Sequence, residues 1–576
     1  MKYSKKYIKV LGLALATLTF NACSDDWDEH YKALPQGSGV SLWQTISTDG
    51  NLSNFKLVLE HCGYDKVLAS PQVFTVFAPT NDYFSEAQAN AQKAIYDEDK
   101  AKGRKEKENR AIKEFVMNHI ALYNHSVSTN FNDTIVMMNG KYLPLTNKTV
   151  DGQAAGTIGD QSFISAQQPQ ENGTLYLVDG QVDYFPNVLE QLAKVEGLDS
   201  IAAFFDSYNE YEFIPELSVA GGIVNGQTVY LDSVTRLEND LFSYVGLLND
   251  EDSTYWMVAP TNDMWNTMVE EYTNYFNYDD KVAKRDSLQY LYSRMAIVRG
   301  TVFSATQNPE EVIYDSVKST SAVPYRSRYL QYGNYDTYYY QYDKPYEPGG
   351  IFSDVAVFPC SNGEVRKANT WNIDKSQTFS QIIMTEGETR SALAYIDGSR
   401  EELPNPKTRT STVTVRPGNP FYNKLSGNSF IEIAPTTGAV MPSATFYIRN
   451  VLSNMPYDIY AVMVPALAAD TMATAIQRLP TLARFTLLYH NQEGEELSKG
   501  VVLQSKQETR ADVLDTILIG SNVVIPTCSY GVDEPQVTIE VENRVSTSQN
   551  NKTYTRTMRL DAIILKPHEG EEIVID

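Results

Sequence analysis

Nine tyrosines crowd the span from Tyr325 to Tyr346, at 325, 329, 332, 335, 338, 339, 340, 342 and 346, in a chain with 38 tyrosines and only 22 phenylalanines. A phenol joins a flat apolar face to a polar tip, so tyrosines exposed on a loop stack on sugar rings or clamp an extended peptide. Gly333, Pro345, Pro348, Gly349 and Gly350 accompany them with few aliphatic residues, which predicts an irregular loop or hairpin in place of a conventional core. Tyr335, Tyr338, Tyr339, Tyr340 and Tyr342 are the candidate ligand-binding residues. The opposite reading has equal standing: the rings pack on one another and on a neighbouring sheet.

Nothing else in the chain is spaced for catalysis. There is no nucleophile elbow, zinc-binding helix motif, phosphate loop, dinucleotide fingerprint or calcium loop. His119 and His125 are six positions apart, about 240° around a helix, so they do not form a metal-chelating pair on one face. His119 reads as a buried, hydrogen-bonded histidine. Acidic pairs such as Asp25-Asp26, Asp279-Asp280 and Glu571-Glu572 are ordinary in a chain of net charge −24 and mark no site. Cys62, Cys360 and Cys528 are far apart, which predicts small buried residues, not a disulfide framework or a metal site. The expectation is a binding protein and not an enzyme, with no cofactor and no metal.

The elements that position these residues are organised around a repeat. Phe74-Thr75-Val76-Phe77-Ala78-Pro79-Thr80-Asn81-Asp82-Tyr83-Phe84 is echoed about 180 residues on by Trp256-Met257-Val258-Ala259-Pro260-Thr261-Asn262-Asp263-Met264-Trp265, with Ala-Pro-Thr-Asn-Asp identical. The β-branched and aromatic run predicts a strand covered on both faces, ended by the proline. Thr80, Asn81 and Asp82 are then expected to cap a helix.

This motif resembles the first signature of the fasciclin domain family, close to T-x-F-A-P-T-N-x-A-F. Phe115 to Ile120, with Asn118-His119, is similar to the family's second signature, and Asn172-Gly173-Thr174-Leu175-Tyr176-Leu177-Val178-Asp179 to its closing strand. In the second copy Ser293-Arg294 stands where the first has Asn118-His119, and Ser361-Asn362-Gly363-Glu364-Val365 stands for the closing strand. The resemblance implies two tandem fasciclin-like domains, the second divergent, and a role in adhesion or partner binding.

Lys2, Lys5, Lys6 and Lys9 precede an apolar run from Val10 to Phe20, the pattern of a secretory signal. Phe20-Asn21-Ala22-Cys23 then resembles a bacterial lipobox, which makes Cys23 the expected lipidation site, and the run is too short to span a membrane comfortably. Ser24-Asp25-Asp26-Trp27-Asp28-Glu29 resembles the surface-export signal of lipoproteins of the Bacteroides group, and equally suits a solvated tether. Loss of residues 1–22 removes four lysines and no acid, taking the charge from −24 to −28, a surface that repels nucleic acid and anionic lipid.

The expected fold class is α+β: signal peptide 1–22, acidic tether 23–38, fasciclin-like domains at 39–187 and 188–376 with a tyrosine-rich insertion at 325–350, a linker at 377–420 and an all-β sandwich at 421–576. Seven short period-two or apolar runs, from Phe430-Ile431-Glu432-Ile433 to Met558–Leu565, carry the sandwich prediction. Two of them resemble strands of galactose-binding-like jelly rolls, a likeness of pattern only. The expected protein is lipid-anchored on the outer membrane facing outwards, and binds a glycan, peptide or partner as an accessory to a SusC/SusD-like uptake system. A structural or adhesive subunit without a small ligand is the alternative, and a hydrolase without a recognisable motif the third.

Overall fold

Phe74–Pro79 is a strand in which all six residues are buried. Successive side chains point to opposite faces of a strand, and here each face has its own core. Phe74, Val76 and Ala78 join the helices Leu42–Thr48 and Ser53–Cys62 in one apolar cluster, while Phe77 joins Tyr176, Leu145 and Ile158 in another. The strand pairs in parallel with Gly173–Val178 and antiparallel with Ile120–Leu122, and Gln168–Gln170 completes the sheet. A four-stranded meander from Phe131 to Ser162 supplies the second cluster. The computed structural model describes residues 39–568 apart from 106–107, 128–129, 151–152, 216–217, 225–226, 233–234, 330–334, 400–402, 498 and 533–535, so the expected signal, tether and Cys23 lie outside the described residues.

The helix expected directly after the proline is present in one copy of the motif and absent in the other. After Pro79 the chain makes a turn in which the N–H groups of Tyr83 and Phe84 donate to the Thr80 carbonyl (2.9 and 2.8 Å), and the next helix, Glu86–Ala101, is capped by Ser85 in a reciprocal pair with Gln88. Thr261 does cap Asn262–Thr273. The shared asparagine has a different task. The helix Ser53–Cys62 starts after Leu52, which offers no capping side chain, and Asn81 Oδ1 accepts the Asn54 N–H at 3.1 Å. Asp199–Asp206 likewise starts after Leu198, and Asn262 Oδ1 accepts the Ser200 N–H at 2.9 Å. A residue remote in sequence thus satisfies a free helix-start donor in each copy.

The chain divides into two compact units, one ending at Phe185 and taking in Glu210–Glu238, the other holding Pro186–Asn209 and everything from Asn239. In the second unit Tyr255–Ala259 pairs in parallel with Gly363–Ala368, as Phe74–Pro79 does with Gly173–Val178 in the first. The closures match atom for atom. Asn172 Oδ1 accepts the Leu42 N–H (2.7 Å), and its Nδ2 donates to the carbonyls of Leu68 and Ser70 (both 2.9 Å). Asn362 Oδ1 accepts the Val188 N–H (2.8 Å), and its Nδ2 donates to Leu248 and Asp250 (3.0 and 2.8 Å).

The seven expected strands of the C-terminal region are all present, in two antiparallel sheets that share one apolar cluster. Ile433, Ile459 and Leu560 enter it from one sheet, Phe446, Phe485 and Val541 from the other. The linker expected at 377–420 is corrected: Ile383–Glu386 pairs with Met558–Pro567, Leu393–Ile396 with Ser443–Tyr447, and Thr408–Thr414 with Ser429–Pro435. These strands are short or polar-faced, so their hydropathy alone does not mark them. Phe379, in the same stretch, packs on Tyr272 and Phe276 with ring centroids 4.6 and 5.8 Å apart, joining the sandwich core to the helices before it.

Candidate functional site

The tyrosine-rich stretch is a two-stranded hairpin, Ser316–Tyr329 paired with Tyr335–Asp343, at one edge of a six-stranded sheet. Place along the strand, not its phase, decides which rings are exposed, since Tyr338, Tyr340 and Tyr342 share one parity and the register shifts between the pairs Lys318–Gln341 and Ala322–Tyr339. Tyr338 is 40% exposed, whereas Tyr340 and Tyr342 are 4% and 5% exposed and lie in an apolar cluster with Val258, Phe303 and Phe352. These two are corrected as ligand contacts, because they cover the outer face of the sheet. Tyr339 is half-buried with the Lys318 ammonium 4.7 Å from its ring centre. Tyr335 begins the second strand, its side chain lying outside the described residues, as does Tyr332 altogether.

Behind the hairpin lies a buried cation. Arg299, 8% exposed, donates from Nη1 to the Tyr530 hydroxyl at 2.6 Å and sits 4.9 Å from the Tyr244 ring centre. Burial pushes the Tyr340 hydroxyl up to about 12, against the opposing pull of Arg299. The phenol therefore stays neutral and serves as a hydrogen-bonding wall for the guanidinium.

A second aromatic group, which sequence reading missed, lies on the same outer face. Trp256 stands opposite Glu364 and Val258 opposite Arg366 in the strand register, so Trp256, Glu364 and Arg366 share one side of the sheet. Arg366 lies 4.1 Å from the centre of Phe352, 5.6 Å from Tyr346 and 6.0 Å from Trp256, and donates from Nε and Nη2 to Glu364 at 3.1 and 2.8 Å. Tyr346 in turn contacts Tyr314, ring centroids 5.2 Å apart, and these two rings are 39% and 66% exposed. Tyr314 falls outside the tyrosine-dense stretch, and the sequence signal for the group was Tyr346 alone, the last of the nine tyrosines.

His119 has the structural role its sequence context implies. Its Nδ1 donates to the Phe115 carbonyl (2.7 Å), and its Nε2 accepts the Val182 N–H (3.0 Å), which requires the neutral ring. Complete burial holds its pKa down at about 4. The unfolded chain then binds a proton that the folded chain refuses between about 6.5 and 4, so this contribution to stability is lost as pH falls through that window, by roughly 3 kcal/mol in total. Urea midpoints for His119→Gln are expected to be lower than wild type at pH 7.5, with the gap narrowing by pH 4.5; a gap independent of pH would contradict the assignment.

Among the described residues no three His, Cys, Asp or Glu side chains form a group able to hold a metal ion, and no helix is long and apolar enough to cross a membrane. Residues 50–182 match the family model of the Fasciclin domain, and that stretch is a fasciclin domain. No curated protein matches the chain. Among solved structures it is similar to a FAS1 domain pair from the insect cell adhesion molecule Fasciclin I, with 12% identity, a TM-score of 0.20, and coverage of 57% of this chain and 99% of that one. It is also similar to the isomalto-dextranase of Arthrobacter globiformis T6 complexed with panose (13% identity, TM-score 0.18, 32% of this chain and 23% of that one). A third likeness is to the enzymatically active domain of tailspike protein 4 of bacteriophage CBA120 (12% identity, TM-score 0.17, 28% of this chain and 19% of that one). The chain thus spans about a quarter and a fifth of the length of these last two.

Proposed function

We propose that this chain is a cell-surface binding protein, built from two fasciclin modules and a sandwich of the galactose-binding type, and held on the outer membrane by acyl chains on Cys23. The fasciclin domain at residues 50–182 carries this reading. The recurrence of its asparagine closure at Asn362 supports a diverged second copy within residues 188–376. The protein works by holding a partner or a ligand, without turnover. Its particular form is an accessory to a SusC/SusD-like uptake system that captures a glycan or peptide; a purely adhesive role is equally in keeping with the fasciclin domain.

Acylation is what separates tethered from soluble, since the chains supply the membrane affinity. Cys23→Ala is expected to move the protein from the membrane pellet to the soluble fraction, and undiminished membrane retention would remove the anchor from the proposal. Affinity purification of the wild type from native membranes separates the two roles: a co-purifying transporter pair supports uptake, and its absence leaves adhesion.

A further inference from the structure

We propose that Tyr314 and Tyr346 form a stacking platform for a hexopyranose unit of a neutral glycan. This deepens the binding role above and rests on it.

The platform is exposed and firmly held. Tyr314 precedes Asp315, whose carbonyl accepts the Lys344 N–H at the open end of the hairpin (2.8 Å), and Tyr346 follows Pro345, whose carbonyl accepts the Phe352 N–H (2.8 Å). The rings meet at 37°, and Tyr346 also contacts Phe352 with centroids 5.2 Å apart. Beneath them Arg366, 7% exposed, is fixed on Phe352 and paired with Glu364. Two tyrosines are therefore prepaid in conformational freedom, which lowers the entropic cost of binding.

Charge and area choose the ligand. Arg366 is paired with Glu364, and the neighbouring Lys344 with Glu347 at 3.1 Å, so both cations are already met by carboxylates, while the exposed Asp315 beside Tyr314 adds a negative charge. An anionic ligand would find both cations already paired and would meet a chain of net charge −24. At roughly 200 Å² per whole ring, the exposed parts of the two amount to about 200 Å², far short of the ~800 Å² a stable protein partner covers on each side. One sugar ring fits that area: its C–H face lies on a phenol ring while its hydroxyls reach solvent and the two phenol tips.

The test uses the full-length chain in native affinity electrophoresis through gels containing starch, dextran, pullulan, yeast mannan, galactan or galactomannan. At least one polysaccharide is expected to retard the wild type, with Tyr314→Ala and Tyr346→Ala each weakening retention about tenfold or more. Tyr83→Ala, which removes a ring 51% exposed in the first unit, is expected to leave it unchanged. No retardation by any of the six, or retention unaltered in both platform variants, overturns the proposal. Circular dichroism confirms that the variants fold. Membrane retention and partner capture are read separately, so loss of sugar binding with both intact rejects the ligand and spares the surface-binding role.

Discussion

Gly173→Ala is expected to disrupt the first unit, and Gly363→Ala to do the same to the parallel strand pair of the second. Gly173 stands opposite Phe74, and Gly363 opposite Tyr255, with φ of +141° and +135°, a conformation that side chains disfavour. An added Cβ would overlap the carbonyl oxygen of Phe74 in one case and of Tyr255 in the other. Backbone cannot swing aside as a flexible side chain can, so the central parallel pairing has to part. The strain and overlap together are expected to cost on the order of 4 kcal/mol or more. Gly140→Ala is the control: φ is +82° there too, but nothing lies within 4 Å of the added carbon, so only about 1 kcal/mol is expected. Hydrogen exchange read by mass spectrometry should show protection lost at 74–79 and 173–178 in Gly173→Ala and retained in the sandwich strand Pro456–Met463. If Gly173→Ala costs no more than the control, the close approach has been misjudged.

A second large effect is expected from alkali on the sandwich. Glu388, just beyond the strand Ile383–Glu386, and Asp561, in Met558–Pro567, each have one buried carboxylate oxygen without a hydrogen-bond partner, Oε2 and Oδ1 respectively. Burial raises both, and the negative charge of Glu386 raises them further, to about 8 for Glu388 and about 7 for Asp561. Asp561 Oδ2 accepts the Ser426 N–H at 3.3 Å, and Glu386 Oε1 accepts the Ser426 hydroxyl at 2.5 Å, and among the described residues none of the three acids forms an ion pair.

Both folded-state values lie above those of the unfolded chain, near 4, so the native state holds protons that the unfolded state releases. Their contribution is complete below about pH 4 and is lost as pH rises through 7 to 8. At about 1.4 kcal/mol per pH unit, the loss amounts to on the order of 4–5 kcal/mol for each acid, less where the two titrate together. Glu388→Gln and Asp561→Asn are therefore expected to raise the urea midpoint over wild type at pH 8.5 and to match it near pH 4. Variants that track wild type at both values would show that these oxygens are already satisfied. The direction is opposite to that of His119, so the fasciclin domain weakens on acidification while the sandwich weakens in alkali.

The tyrosine stretch shows where sequence reasoning reaches its limit. Density of phenols at 335–342 was plain, but Tyr338, Tyr340 and Tyr342 share one strand phase, and only Tyr340 and Tyr342 reach the apolar cluster around Phe303 and Phe352. Conversely Tyr314 and Arg366 are unremarkable in sequence, and each reaches Tyr346 only because the Lys344–Asp315 bond and the strand register bring their segments together. The linker expectation failed for a related reason. Thr408–Thr414 is a polar edge strand, and a strand at a sheet edge can be polar because one side is left to solvent.

What the amino-acid order determined by itself was local and repetitive: a doubly covered strand stopped by proline, its recurrence at Tyr255–Ala259, the Asn-Gly pairs that begin the closing strands, and seven runs of strand periodicity. Those signals survive because steric limits and side-chain period act over a few residues. Only the tertiary structure decided that Asn81 and Asn262 cap helices far from themselves, that two of the five chosen tyrosines are core, and that two carboxylates lack partners in the interior. Each of these depends on which distant segment excludes water from a polar group, and that is set by packing across the chain.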